Sequence, residues 1–297
     1  MASKWGFPFI KPYFDNIVPN YRHGINFAVA AATAGNITEA DVPFCLPMQT
    51  DQFVRFKRRV YATLRSKNKS DYVVSRMPQV KAFKDSIYMI FIGVNDISVG
   101  LLKQNLSPAE VKIKIVPSIV SAISKAIYDL HKEGAKNFMI VDIPAIGCMP
   151  STLALASQGP YNSTDQWGCF EEYNDIEYFA NKEVKKSIGN IKQQLEDVEI
   201  KVFSIYNFTL EAMANPTKYG FKESEKLKAC CGNGGPFNYN PLVTCGTDSE
   251  AKSCKNPREY MSWDGRHFTE SFSEQFVEAV MKKICLPPTR GIQRVDS

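Results

Sequence analysis

The strongest constraint in this sequence is the alternation of short apolar runs with longer stretches of helical periodicity from about residue 80 onward. Residues 86–92 (SIYMIFI) and 137–143 (NFMIVDI) are continuous apolar runs of strand length, as expected of strands covered on both faces. Residues 111–130 and 171–191 carry apolar side chains at helical spacing, which predicts two helices. Residues 199–206 (EIKVFSIY) predict a third strand. Residues 269–284 predict a closing helix with Phe272, Phe276, Val277, Val280 and Met281 on its apolar side. Strand, helix, strand, helix implies a parallel α/β sheet, because parallel neighbours need a long crossover.

Nearer the start, residues 25–30 read as a further short strand. Residues 52–64 read as an amphipathic segment whose Arg and Lys face is solvated. No repeat or low-complexity linker divides the 297 residues, and 44% hydrophobic content can fill a sizeable core, so a single domain over 1–297 is expected. The net charge of +5 comes from Lys and Arg scattered among Asp and Glu, which argues against a nucleic-acid partner. No apolar run reaches the roughly 18 residues of a membrane span, so no integral membrane association is expected.

In open parallel sheets the ligand crevice lies beyond the carboxyl ends of the strands. Residues 31–34, 93–96 and 142–150 meet that condition. Imidazole chemistry has three sources. His131 sits at a helix end, where it complements the dipole, and His23 has an ordinary surface role. His267 differs, because Asp264 lies three residues upstream in Trp263-Asp264-Gly265-Arg266-His267. An Asp so placed can accept from Nδ1 and leave Nε2 as a general base. D-x-x-H also occurs in ordinary surface turns, so its weight comes from residues 91–96 (FIGVND). There Gly93 allows a sharp turn, and the amide of Asn95 can donate to a developing oxyanion beside Asp96.

Eight cysteines and five N-x-Ser/Thr sequons, at Asn36, Asn68, Asn105, Asn162 and Asn207, point to an oxidising compartment. Cys230, Cys231, Cys245 and Cys254 lie in one loop-like stretch, and vicinal cysteines do not give the usual zinc chelate, so disulfides are favoured over a metal site. Gly232, Gly234 and Gly235 have no following Lys-Ser/Thr and read as turn glycines rather than a phosphate cradle. No cofactor is expected. Against secretion stands the amino terminus, MASKWGFPFIKPYF, which has no basic segment followed by an apolar one and is not a signal peptide.

Residues 24–28 (GINFA), 93–96 (GVND), 229–239 (ACCGNGGPFNY) and 263–270 (WDGRHFTE) together resemble the plant GDSL esterase/lipase family of SGNH hydrolases. The segments at 143–150 (IPAIGCMP) and 168–174 (GCFEEYN) extend the resemblance over essentially the whole chain. The Cys-rich insertion and CKNPREYMSWDGRH at 254–267 are most similar to a branch of secreted esterases that deacylate alkaloids and choline esters. The resemblance implies a flavodoxin-like α/β/α sandwich with a parallel five-stranded sheet. It also implies a Ser-His-Asp mechanism on small acyl esters or lipids, no cofactor, a monomer, and a secreted or vacuolar location. It assigns Asp264 as triad acid, His267 as base, Asn95 as oxyanion donor and Ala31 to the position of a second donor, normally Gly. A Cys148–Cys169 bridge closing a loop beside the substrate cleft follows from it too. Cys45 and Cys285 stay unassigned.

Two departures stand out. Neither G-D-S nor G-x-S-x-G occurs, and the chain begins where the family would already be past its first strand and nucleophile. Ser3, Ser98, Ser151 and Ser262 lack the tight turn among small residues that would substitute. At Ala31 a positive φ would add strain on the order of 1 kcal/mol. Phe268, where the family usually has Pro or Leu, either shapes the acyl pocket or packs. Three readings follow: an esterase lacking its nucleophile, a non-catalytic binding protein, and a truncated reading frame.

Overall fold

The computed structural model describes residues 2–14, 20–157, 159 and 163–283. It comprises two compact units, Met1–Gly147 with Glu171–Asn207, and Cys148–Phe170 with Phe208–Ser297.

In the first unit, β3 (Ile87–Phe91), β4 (Asn137–Val141) and β5 (Glu199–Phe203) form a parallel sheet in the order β3-β4-β5. The register sets Ile87 beside Asn137 and Asn137 beside Glu199. The β3-to-β4 crossover holds α4 (Val94–Leu102), α5 (Pro108–Lys114) and α6 (Val116–Lys132), and α8 (Glu171–Gln194) precedes β5. This is the expected α/β sandwich class. Upstream lie α1 (Leu46–Arg65) and two single-turn helices, α2 (Asp71–Val74) and α3 (Ala82–Asp85). The apolar face of α1 buries Leu46, Phe53, Phe56 and Val60. Phe53 meets Tyr88 of β3 edge-on at 5.4 Å, and Tyr88 meets Phe138 of β4 at 5.8 Å. Helix α6 packs against both α1 and α8.

Only β4 matches the expectation of strands covered on both faces, with Phe138, Met139, Ile140 and Val141 all buried. On β3, Ile87, Met89 and Phe91 are 39%, 56% and 47% exposed. These three are alternate residues on one face of β3, and that face is the exposed one, while Ile90 on the other is buried; β3 is also the edge of the sheet, with no strand among the described residues pairing on its other side. The expected strand over 25–30 shrinks to β2 (Ile25–Asn26), which pairs with β1 (Lys11–Pro12) in a separate two-stranded ribbon. Asn26 ends it, its Oδ1 accepting from the Ala28 amide at 2.9 Å, an Asx turn that takes the chain out of strand geometry. The helix expected over 111–130 is two helices, α5 and α6, because Pro117 opens α6 and cannot donate to the preceding turn. The strand expected to reach residue 206 stops at Phe203, where Ser204 Oγ accepts from Asn207 N and starts α9 (Ile205–Ala214).

The second unit packs Phe208, Phe221, Phe272 and Phe276 together, with Phe272 and Phe276 on α10 (Glu270–Lys283). It also holds α7 (Pro150–Ala156) and an antiparallel pair, β6 (Cys231–Gly232) with β7 (Lys252–Ser253). Among the described residues, three disulfides cross-link it: Cys148–Cys169, as the resemblance implied, Cys230–Cys254 and Cys231–Cys245. Cys45 is a free, buried thiol of the first unit, and Cys285 lies outside the described residues. Among the described residues no helix is long and apolar enough to cross a membrane.

Candidate active site

His267 sits on a tight hairpin. Ser262 and Phe268 pair antiparallel, and Trp263 N donates to His267 O at 2.8 Å. Inside it, the Ser262 hydroxyl accepts from Gly265 N at 3.0 Å and donates to His267 O at 3.2 Å, so this serine is fully committed to the turn. Gly265 has φ +90°, a conformation that disfavours any side chain. The turn folds Asp264 back on its successors. Its Oδ1 accepts from the backbone N–H groups of Arg266 (2.9 Å) and His267 (2.8 Å), and its Oδ2 stands 2.7 Å from His267 Nδ1.

Both carboxylate oxygens are therefore held, and Nδ1 is the protonated nitrogen, which leaves the Nε2 lone pair to accept a proton. The His267 side chain is 76% exposed, so Nε2 is reachable. Burial raises the pKa of Asp264, but the hydrogen bonds from the imidazole and the two amides outweigh it and hold the carboxyl below its ordinary value. For His267 the hydrogen bond to Asp264 raises the pKa, and burial and the Arg266 charge only partly offset it.

In the first unit, residues 93–96 hold residues 31–35. Gly93, at φ +113°, turns the chain from β3 into α4, and a Cβ there would stand 2.8 Å from Ile143 Cδ1. Asp96, fully buried in the first turn of α4, accepts from Ala34 N (2.7 Å) and Gly35 N (2.9 Å). Burial raises its pKa, and those two N–H groups oppose the rise. The Asn95 amide does not simply project into open space: one N–H of Nδ2 donates to Ala32 O at 2.8 Å. Ala31 has φ +61°, the left-handed conformation in which its methyl is strained and its N–H is retained. The structure thus brings Asp264 to His267, and Asn95 and Asp96 to the Ala31–Gly35 loop, and it places these two groups in different units.

Helix α8 adds residues that the sequence reading passed over. Asn174, Glu177 and Asn181, at helical spacing, are all buried on one face. Asn181 accepts from Ile143 N and donates to Ile143 O, both at 2.8 Å, and Asn174 accepts from Gly147 N at 2.9 Å. They clamp the loop that follows β4. Burial pushes the Glu177 carboxyl well above the ordinary carboxylate range. Polar residues on the apolar face of a predicted helix were the available signal.

The other candidates have plain roles. His131 ends α6 and places Nε2 2.8 Å from Asp197 Oδ1, which adds a hydrogen-bond partner to its helix-end position. His23 stacks on Phe7 at 5.3 Å. Phe268 lies flat on Phe272 at 3.9 Å, which is packing. Asn36, Asn68, Asn105 and Asn207 are exposed, and Asn162 lies outside the described residues.

The first unit thus holds a parallel α/β sheet and a left-handed loop bound to Asn95, and the second unit an Asp-held histidine. Residues 2–280 match the family described as GDSL-like Lipase/Acylhydrolase, and the chain belongs to that family. The GDSL esterase/lipase At1g09390 of Arabidopsis thaliana is 33% identical over 264 residues, 88% of this chain and 68% of the relative. At5g14450 of the same plant is 29% identical over 99% of this chain and 76% of its own length. The GDSL esterase/lipase ENOD8 of Medicago truncatula is 29% identical over 99% of this chain and 77% of its own.

Proposed function

We propose that this chain carries the general base, its acid partner and the oxyanion donors of a carboxylic ester hydrolase acting on small acyl esters or lipids. The observation that carries this reading is the Asp264–His267 couple, held at both carboxylate oxygens with Nε2 free. In the Ser-His-Asp reaction, Nε2 of His267 takes the proton of the attacking hydroxyl as the Ser Oγ–carbonyl bond forms. Asp264 stabilises the imidazolium. Within the first unit, the second N–H of Asn95 and the Ala31 amide are the groups this reading assigns as oxyanion donors. His267 then returns the proton to the leaving alcohol as the ester C–O bond breaks, and water releases the acyl group by the same steps.

No G-D-S occurs within these 297 residues, so the chain itself is a very poor esterase in this reading. Ser, His and Asp act as a unit, and what survives without the Ser is on the order of 10³-fold over water, supplied by the oxyanion donors and binding. Hydrolysis of a short-chain p-nitrophenyl ester tests it. N95A is expected to remove most of the residual rate and H267A to change it little. Vigorous turnover that H267A abolishes would show that the chain holds its own nucleophile.

The left-handed Ala31 also favours a second reading, a protein that binds esters without turning them over. Saturable ester binding with no Asn95-dependent hydrolysis would select it. We further propose a single functional domain and a monomer that is secreted or vacuolar. Three disulfides and four exposed sequons support the secretory route.

A further inference from the structure

Tyr239 belongs to the disulfide-bonded segment, yet it contacts both residues that separate Asp264 from His267. Its ring lies against Gly265 so closely that a Cβ there would stand 2.4 Å from Cδ2 and 3.1 Å from Cε2. Its hydroxyl accepts from Arg266 Nε at 2.9 Å, and the guanidinium carbon stands 5.7 Å from the ring centroid, within cation–π range. Arg266 is also the residue whose backbone N–H holds Asp264 Oδ1. One side chain thus governs the position of two peptide units in the turn.

Tyr239 is itself well anchored. Asn238 Nδ2 donates to Ala229 O at 2.8 Å, and Ala229 N donates to Phe237 O at 3.0 Å. The same segment runs beside the hairpin, with Cys230 N donating to Ser262 O (3.0 Å) and Cys231 N to Trp263 O (2.6 Å). Cys230 and Cys231 are each cross-linked, to Cys254 and Cys245. The segment therefore grips the hairpin at both ends, by backbone hydrogen bonds at Ser262 and Trp263 and by Tyr239 at Gly265 and Arg266.

We propose that Tyr239 is a positioning residue for the Asp264–His267 couple: its ring backs Gly265 and its hydroxyl fixes Arg266, which keeps His267 Nδ1 within hydrogen-bond reach of Asp264. The inference rests on His267 being the general base, but it can be judged without turnover. The charged groups that face His267 are Asp264 and Arg266, which act in opposite directions on its protonation. Freeing Arg266 moves a charge as well as a turn. The Nδ1 proton reports the turn directly, because its protection from exchange measures how often the bond to Asp264 opens.

With three histidines in the chain, 15N-histidine labelling resolves His267, and His23 and His131 serve as internal references. D264N, whose one oxygen stays with the backbone N–H groups of Arg266 and His267 and whose NH₂ then faces Nδ1, sets the unprotected limit, and R266Q removes the charge while leaving the Tyr239 ring. Relative to wild type, Y239L is expected to exchange the Nδ1 proton about fivefold to tenfold faster, the worth of one ordinary hydrogen bond. Y239F, which keeps the ring, should lie between them, with His23 and His131 unchanged. Wild-type protection in Y239F and in folded Y239L, with D264N fully exposed, would overturn the proposal. If Y239L does not fold, Y239F alone decides. Failure to detect ester hydrolysis would count against the function and not against this strut.

Discussion

Replacing Asp96 by Asn tests how the Ala31–Gly35 loop is held. The substitution keeps the shape of the side chain and one acceptor oxygen, but it presents an NH₂ group to an N–H donor at the other position. Asp96 is fully buried, and its partners are the amides of Ala34, itself fully buried, and Gly35. The loop has little room to move away, since even a Cβ at Gly35 would stand 2.3 Å from Ser118 Oγ. The swap therefore loses one charge-assisted hydrogen bond and strands a buried donor, a cost of about 2–4 kcal/mol. At about 2–4 °C per kcal/mol, the melting temperature should fall by roughly 5–15 °C. Burial works the other way: it raises the pKa of Asp96, and a neutral amide escapes the penalty of a buried charge. A D96N protein that melts within about 1 °C of wild type by calorimetry would refute the reasoning, because relief from desolvation would then fully offset the lost hydrogen bond.

Two further outcomes follow from the same geometry. At Ala31, φ +61° strains the methyl by about 1 kcal/mol, roughly what glycine costs through its extra freedom in the unfolded chain, so A31G should leave stability unchanged or slightly raised. A loss above about 1 kcal/mol in a denaturant titration would mean that the methyl packs rather than strains. Removing the Cys231–Cys245 bridge, with a sequence separation of 14, in C231S/C245S should cost about 3 kcal/mol and free the segment that carries Tyr239. An unchanged melting temperature would show that hydrogen bonds alone hold the hairpin.

Local features were legible in the sequence where a nearest-neighbour rule governs them. The run NFMIV announced β4, and the three-residue spacing of Asp264 and His267 announced a bond that the turn at Gly265 makes possible. The break at Pro117 was missed because apolar spacing continues across it while the backbone does not. An apolar run cannot say whether both faces of its strand are covered, so the exposure of Ile87, Met89 and Phe91 on one face of β3 was invisible. Contacts between distant segments were hidden for a different reason. Asn95 with Ala32, Asp96 with Ala34, and Tyr239 with Arg266 join residues that only the folded chain brings together. The clamp of Asn174 and Asn181 was half legible, as polar residues on an otherwise apolar helix face.

The most direct test of the central claim is the pH titration of His267, followed by NMR in the wild type and in D264N. The hydrogen bond to Asp264 raises the imidazole pKa, so His267 is expected to titrate above its ordinary value of 6.5. A raised pKa also fixes the sign of its effect on stability: the contribution is fully present below pH 6.5 and is lost as pH rises through the folded value. In D264N the titration should move down and that slope should vanish, with His131 unaffected. A His267 that titrates at or below 6.5 in the wild type and does not respond to D264N would contradict the account, because the acid–base couple would then not exist in solution.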